Sequence, residues 1–204
     1  GGDWGSMITK WIAELFPENC IGIHLNLVIA FPPEGEDSML GVLQEEIEGM
    51  KNIEKYQATG YGYFAIQSTK PQTVGYGLND SPVGLAAWII EKFHGWTKDD
   101  SDKLVVPLDE VLAIVSLYWH TESITSSARF YYENGPLGFT FNPVSQPMAG
   151  AIFENEIARP PRVWAEKIYN IVQWNKYSGG HFAALENPKI LSEDIFNFAA
   201  KLEI

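Results

Sequence analysis

Gly1-Gly2-Asp3-Trp4-Gly5 has the pattern small-x-nucleophile-x-small, with a carboxylate at its centre. Small residues flank a sharp strand-to-helix turn of this kind because the nucleophile's backbone is strained there and neighbouring side chains would clash. An apolar helical run follows at once in Met7, Ile8, Trp11, Ile12 and Leu15. A carboxylate nucleophile suits attack on saturated carbon bearing a strained ring or a good leaving group. The product is an alkyl ester, which water must then cleave. That second step needs a base for the water, an acid to orient the base, and a group that stabilises the departing oxygen or halide.

The base is assigned to His181, on the glycine-rich turn Ser178-Gly179-Gly180-His181-Phe182, after the last apolar segment and before the final helix. His24 lies in an apolar run, His94 on an amphipathic segment and His120 after a tryptophan, where packed or solvated roles suffice. The orienting acid belongs after the preceding strand, in Ile152-Phe153-Glu154-Asn155-Glu156-Ile157, and spacing alone does not separate Glu154 from Glu156. A phenol can donate a hydrogen bond and protonate a developing alkoxide. The candidates are Tyr56, Tyr61, Tyr63, Tyr76, Tyr118, Tyr131 and Tyr132, among which residue chemistry does not choose. The backbone N–H of Trp4 is an oxyanion donor candidate, and the dipole of the helix after the turn favours an anionic Asp3.

These groups need elements to hold them. A helix is predicted over Ser6–Phe16, stopped by Pro17, and a buried parallel strand over 21–31. Pro32-Pro33-Glu34-Gly35-Glu36-Asp37 marks a boundary, with helical spacing from Ser38 through Leu40, Leu43, Ile47 and Met50, broken at Gly60–Tyr63. Asp80-Ser81-Pro82 caps a helix running from Val83 to Trp96, and further helices fit Leu108–Trp119 and Ser123–Tyr132. After Pro136 strands resume at 144–153 and 171–174, and a helix from Pro188 closes the chain. The expected division is hydrolase core over 1–32, helical cap over 33–136 and core again over 137–204. The fold class is α/β, an α/β hydrolase with a helical cap, lacking the first strands of the core sheet.

The chain has 204 residues, of which 46% are hydrophobic and 13% aromatic, enough for a substantial core. A net charge of -12 argues against nucleic acid or an anionic membrane as the main partner. The single cysteine, Cys20, excludes an internal disulfide and fits a reducing compartment, so a cytoplasmic location is expected. The longest apolar stretch, 21–31, is too short to span a bilayer and carries His24 and Asn26. Membrane association through an upstream segment stays open.

Four blocks carry a resemblance over nearly the whole chain: GGDWGS (1–6), GYFAIQSTKPQTVGYGLNDSPVGLAAWIIEKFHGWT (62–97), SLYWHTESITSSARFYYEN (116–134) and GGHFAALENP (179–188). In sequence and order they resemble the microsomal-type epoxide hydrolase family, from the nucleophile elbow onward. The resemblance implies Asp3 as nucleophile, His181 as base, Glu156 as acid and Tyr63 and Tyr131 as the two phenols. It further implies conversion of a lipophilic epoxide and water to a vicinal diol through an Asp3 ester, without cofactor or metal. The chain departs from the family where Phe153 is followed by Glu154 rather than proline, which keeps Glu154 in reserve. The family's second oxyanion turn and first strands have no counterpart in these residues, so an N-terminal half is an expected partner, with a homodimer also open. The alternatives are a haloalkane-dehalogenase-like hydrolase, which has no use for two phenols, and an inactive fragment that forms no stable monomer alone.

Overall fold

The computed structural model describes residues 1–35, 37–97, 103–135 and 142–202. Glu36 of the composition boundary and Pro136, where strands were expected to resume, lie outside the described residues. The chain forms two compact units, Gly1–Glu54 with Phe141–Ile204, and Lys55–Thr140.

The first unit is built on a parallel sheet in the order β1-β2-β3, from Ile23–Leu25, Val144–Asn155 and Tyr169–Gly180. Strand β2 is central, and its run from Ala149 to Phe153 is continuously buried, as a parallel strand covered on both faces should be. Its register against β3 shifts between Val144 and Pro147, where a proline cannot donate to the ladder. Ile23, Leu25, Met148, Ile152 and Trp164 share one core. Each such side chain contributes roughly 1.5–3 kcal/mol by leaving water.

Two strand expectations need correction. Only Ile23–Leu25 of the 21–31 run is strand, although Leu27, Val28 and Ala30 remain buried. Apolarity reports burial rather than ladder hydrogen bonds, and the Asn26 N–H turns to the carbonyl of Gly1. Conversely, β3 runs for 12 residues instead of four. It borders only β2 among the described residues, so Asn175 and Lys176 can sit in a strand without entering an apolar core.

Helix α1, Trp4–Leu15, buries Met7 and Ala13 and leaves Ile8, Ile12, Leu15 and Phe16 exposed. Helix α2, Gln44–Lys55, starts six residues later than the Ser38 spacing suggested, after a turn with Gly41 at φ 81° that no helix accommodates. Leu40 and Leu43 are therefore exposed rather than on a packed face. Beyond Ala165 of the short helix α8, Arg162–Ala165, and β3 come α9, Ala183–Glu186, and α10, Pro188–Lys201. Naming α3–α7 for Gly62–Thr69, Pro71–Asp80, Pro82–Gly95, Leu108–Thr121 and Ile124–Asn134 completes the element order.

Those five helices form the second unit. A π-helical turn over Tyr56–Gly60 ends at Gly60, Tyr61 is a turn, and α3 starts at Gly62, so the helical run is interrupted where the glycines stand. Ser81 caps α5 by accepting the Gly84 N–H, with Pro82 in the first turn, as the sequence predicts. Leu78, Leu85, Val115 and Ile124 make the unit's core, with Trp88, Tyr118 and Trp119 packed against it. Among the described residues no helix is long and apolar enough to cross a membrane.

Candidate active site

Asp3 stands at the N-cap of α1 with φ 48° and ψ -133°. A non-glycine residue rarely adopts such a backbone, at a cost of order 1–3 kcal/mol, and this conformation lifts its carboxylate to the mouth of the turn. A Cβ on Gly1 would strike the carbonyl of Gly5, and one on Gly2 would sit 2.6 Å from the Asn26 amide. Gly5 differs from expectation: a Cβ there meets nothing within 4 Å, so the crowding lies upstream of the nucleophile only. The Trp4 N–H donates to Asp3 Oδ1 at 2.6 Å, which places a backbone donor on the carboxylate itself.

His181 follows β3 on a loop that only glycine permits. Gly179 has φ 134°, and a side chain there would run into Asn187 and Phe153. The loop is braced by Glu186, which accepts the Gly180 N–H at 2.9 Å and the Phe182 N–H at 3.0 Å. Sequence reading missed Glu186; an acidic residue in the first turn of α9 was its one signal.

The structure brings three of the predicted residues into one chain of contacts. His181 Nδ1 donates to Glu156 Oε1 at 2.6 Å and Nε2 donates to Asp3 Oδ2 at 2.9 Å. Glu156 is 2% exposed and also accepts the Ile157 N–H at 2.8 Å. Glu154 is exposed and lines a cavity of about 450 Å³ with Glu48, Arg159, Trp174 and Lys176, away from His181.

Burial alone would lower the pKa of His181. The charge of Glu156, the hydrogen bonds to Asp3 and Glu156, and the charge of Asp3 overcome it and raise the imidazole to about 10. Burial works against ionised Asp3 as well, but the His181 hydrogen bond and charge and the Trp4 N–H hold its carboxyl below the usual range. The resting pair is therefore imidazolium and carboxylate. A carboxylate so held is chemically able to attack an electrophilic carbon.

The two phenols of the second unit are also brought together. Tyr63 on α3 and Tyr131 on α7 pack edge to face with ring centroids 5.9 Å apart, and Phe64 lies 5.4 Å from Tyr131. The Tyr63 hydroxyl is 3.0 Å from that of Tyr56. Of the other candidates, Tyr61, Tyr76 and Tyr132 are exposed, and Tyr118 packs against the helical core. Among the remaining histidines, His94 and His120 are exposed. His24 donates to the buried carboxylate of Asp194 at 2.8 Å, and burial lowers its pKa despite that partner. Among the described residues no group of three His, Cys, Asp or Glu side chains is placed to hold a metal ion.

No protein-family model matches the chain. A putative epoxide hydrolase of Stigmatella aurantiaca is 41% identical over 198 residues, covering 96% of this chain and 44% of that protein. Epoxide hydrolase 1 of Sus scrofa is 38% identical over 229 residues, covering 100% of this chain and 50% of that protein. The solved epoxide hydrolase of Aspergillus niger superposes with a TM-score of 0.88 at 32% identity, over 99% of this chain and 51% of its own. The chain is thus related to the epoxide hydrolases and shares their α/β hydrolase fold. It spans about half the length of the relatives it matches.

Proposed function

We propose, from this kinship and from the Asp3–His181–Glu156 chain of contacts, that the protein opens epoxides to vicinal diols through a covalent Asp3 ester. Asp3 Oδ attacks a ring carbon, a C–O bond forms to Asp3, and the ring C–O bond breaks with its electron pair on oxygen. Tyr63 and Tyr131 hydrogen-bond that oxygen, and one phenol supplies its proton. The formal negative charge passes from Asp3 to a phenolate.

Loss of the Asp3 charge then removes part of what keeps His181 protonated. The imidazolium passes its Nε2 proton through solvent to the phenolate left by the first step and, with its Nδ1–H still held by Glu156, becomes the base that takes a proton from the water attacking the ester. Ester cleavage restores the Asp3 carboxylate, and the proton taken from water restores the His181 imidazolium, so every group returns to its resting form. The Trp4 N–H, already 2.6 Å from Asp3 Oδ1, is the oxyanion donor in this step. The observation that carries the reading is a carboxylate, not a hydroxyl, on the strained turn with His181 Nε2 at 2.9 Å.

The substrate is proposed to be lipophilic, in keeping with the aromatic cluster of Tyr61, Phe64, Trp96 and Tyr131. A cytoplasmic setting is proposed from the single free cysteine. A further stretch of chain is proposed to cover the exposed Ile8, Ile12 and Leu15 of α1 and the outer edge of β1. A second copy of the chain is the alternative cover proposed for that surface.

The test is product analysis with trapped intermediates. Styrene oxide should give the diol, Asp3→Ala should give none, and His181→Gln should accumulate a species heavier by the mass of the substrate. Halide release from a haloalkane without diol formation would overturn the assignment.

A further inference from the structure

On the reading that Tyr63 is an acid, its strength depends on what surrounds the phenolate it leaves. Two features of the helical unit bear on that anion. Lys92 Nζ lies 4.5 Å from the centroid of the Tyr63 ring, and 5.5 Å and 5.8 Å from those of Trp96 and Trp88. Trp88, Lys92 and Trp96 are four residues apart and share one face along α5 and its C-cap. A helix-surface lysine ordinarily extends its ammonium into water, yet this side chain is only 14% exposed, folded among the three rings. Its ion pair with the more exposed Glu91 offsets part of the charge without taking the ammonium away from Tyr63.

The second feature is Tyr56. Its hydroxyl lies 3.0 Å from that of Tyr63, seven residues on, across the π-helical turn of Tyr56–Gly60. A regular α-helix sets residues seven apart nearly two turns apart on one face, about 10 Å along the axis. The widened turn is where this chain departs from that spacing. When Tyr56 donates to the Tyr63 oxygen, the Tyr63 proton is left to point elsewhere.

We propose that Lys92 and Tyr56 are positioning residues that stabilise the Tyr63 phenolate, the lysine through the face of the ring and the second phenol at the oxygen. As the ring C–O bond breaks, its electron pair takes the Tyr63 proton, and the charge left on Tyr63 falls beside a cation and a hydrogen-bond donor. Neither group touches substrate. Both act on the first step alone, because the second step passes through Asp3, His181 and Glu156.

The experiment is single-turnover kinetics on the intact natural protein with styrene oxide. Ester formation and ester decay are read separately by rapid quench and intact mass. Lys92→Met should slow ester formation roughly 10–100-fold, somewhat less than loss of a direct oxyanion donor. It should leave decay unchanged, and Lys92→Arg should restore most of the rate. Tyr56→Phe should follow the same pattern.

In a Tyr63→Phe background Lys92→Met should add nothing, since the ring still packs on the lysine but no phenolate forms. Equal slowing in both backgrounds, or equal slowing of both steps, would show that Lys92 serves packing alone and would overturn the proposal. Unimpaired ester formation in Tyr63→Phe itself would instead refute the acid role of Tyr63. The two failures are distinguishable.

Discussion

Replacing Glu156 by glutamine tests the electrostatics of the site with little change of shape. The carboxylate is 2% exposed and meets His181 Nδ1 at 2.6 Å, so charge centres stand roughly 4 Å apart. At an effective dielectric constant near 20, two unit charges at that distance attract by about 4 kcal/mol. At about 1.4 kcal/mol per pH unit, this corresponds to about 3 units on the imidazole. His181 should therefore titrate near neutrality in Glu156→Gln instead of at about 10.

The amide oxygen of glutamine can still accept the Nδ1–H, so the ring keeps its orientation while the imidazolium loses its support. Ester hydrolysis, in which His181 gains a proton, should slow by about 10²–10⁴-fold. Ester formation should change far less. Nuclear magnetic resonance titration of the His181 ring nitrogens reads the first quantity, and rapid-quench kinetics the second. The exposed Glu154, replaced in the same way, should leave the titration in place. An unmoved His181 titration in Glu156→Gln would refute the assignment of the shift to that carboxylate.

The sign for stability follows from the same shift. A histidine raised from 6.5 to about 10 stabilises the fold fully below pH 6.5 and loses that contribution as the pH rises through 10. Melting temperature should fall over that window, and Glu156→Gln should flatten the fall. Gly179→Ala should displace His181, because φ 134° is closed to alanine and its methyl would meet Phe153 at 3.0 Å. Circular dichroism melts and kcat should drop together, where a harmless surface glycine would move neither. Asp194→Ala should cost about 1–3 kcal/mol for each buried donor it leaves unsatisfied. The buried carboxylate accepts from His24 at 2.8 Å, Asn175 at 2.6 Å and Tyr177 at 2.5 Å, and its loss strands all three. Urea denaturation measures the loss.

Local chemistry was legible in the sequence. Gly1-Gly2-Asp3 announces a strained turn because only small residues fit upstream of it, and Ser81-Pro82 announces a helix start because the cap satisfies a backbone N–H. The loop of Gly179-Gly180-His181 was equally plain, since a positive φ selects glycine whatever surrounds it. Choices that depend on distant partners were not legible. Glu154 and Glu156 share one face of any regular strand, so alternation cannot rank them. The chain leaves β2 at Asn155 and the Glu156 N–H turns back to the Phe153 carbonyl, which buries Glu156 against His181 and leaves Glu154 in water. The ends of β1 and β3 were decided by which backbone groups found a neighbour, a fact no side chain reports. Lys92 read as an ordinary helix-surface charge until packing set it 4.5 Å from the Tyr63 ring. Sequence determines which groups can react and which turns can carry them. Tertiary structure decides which carboxylate is dry and which cation faces a ring, because burial and Coulomb energy depend on distances that the order of residues does not contain.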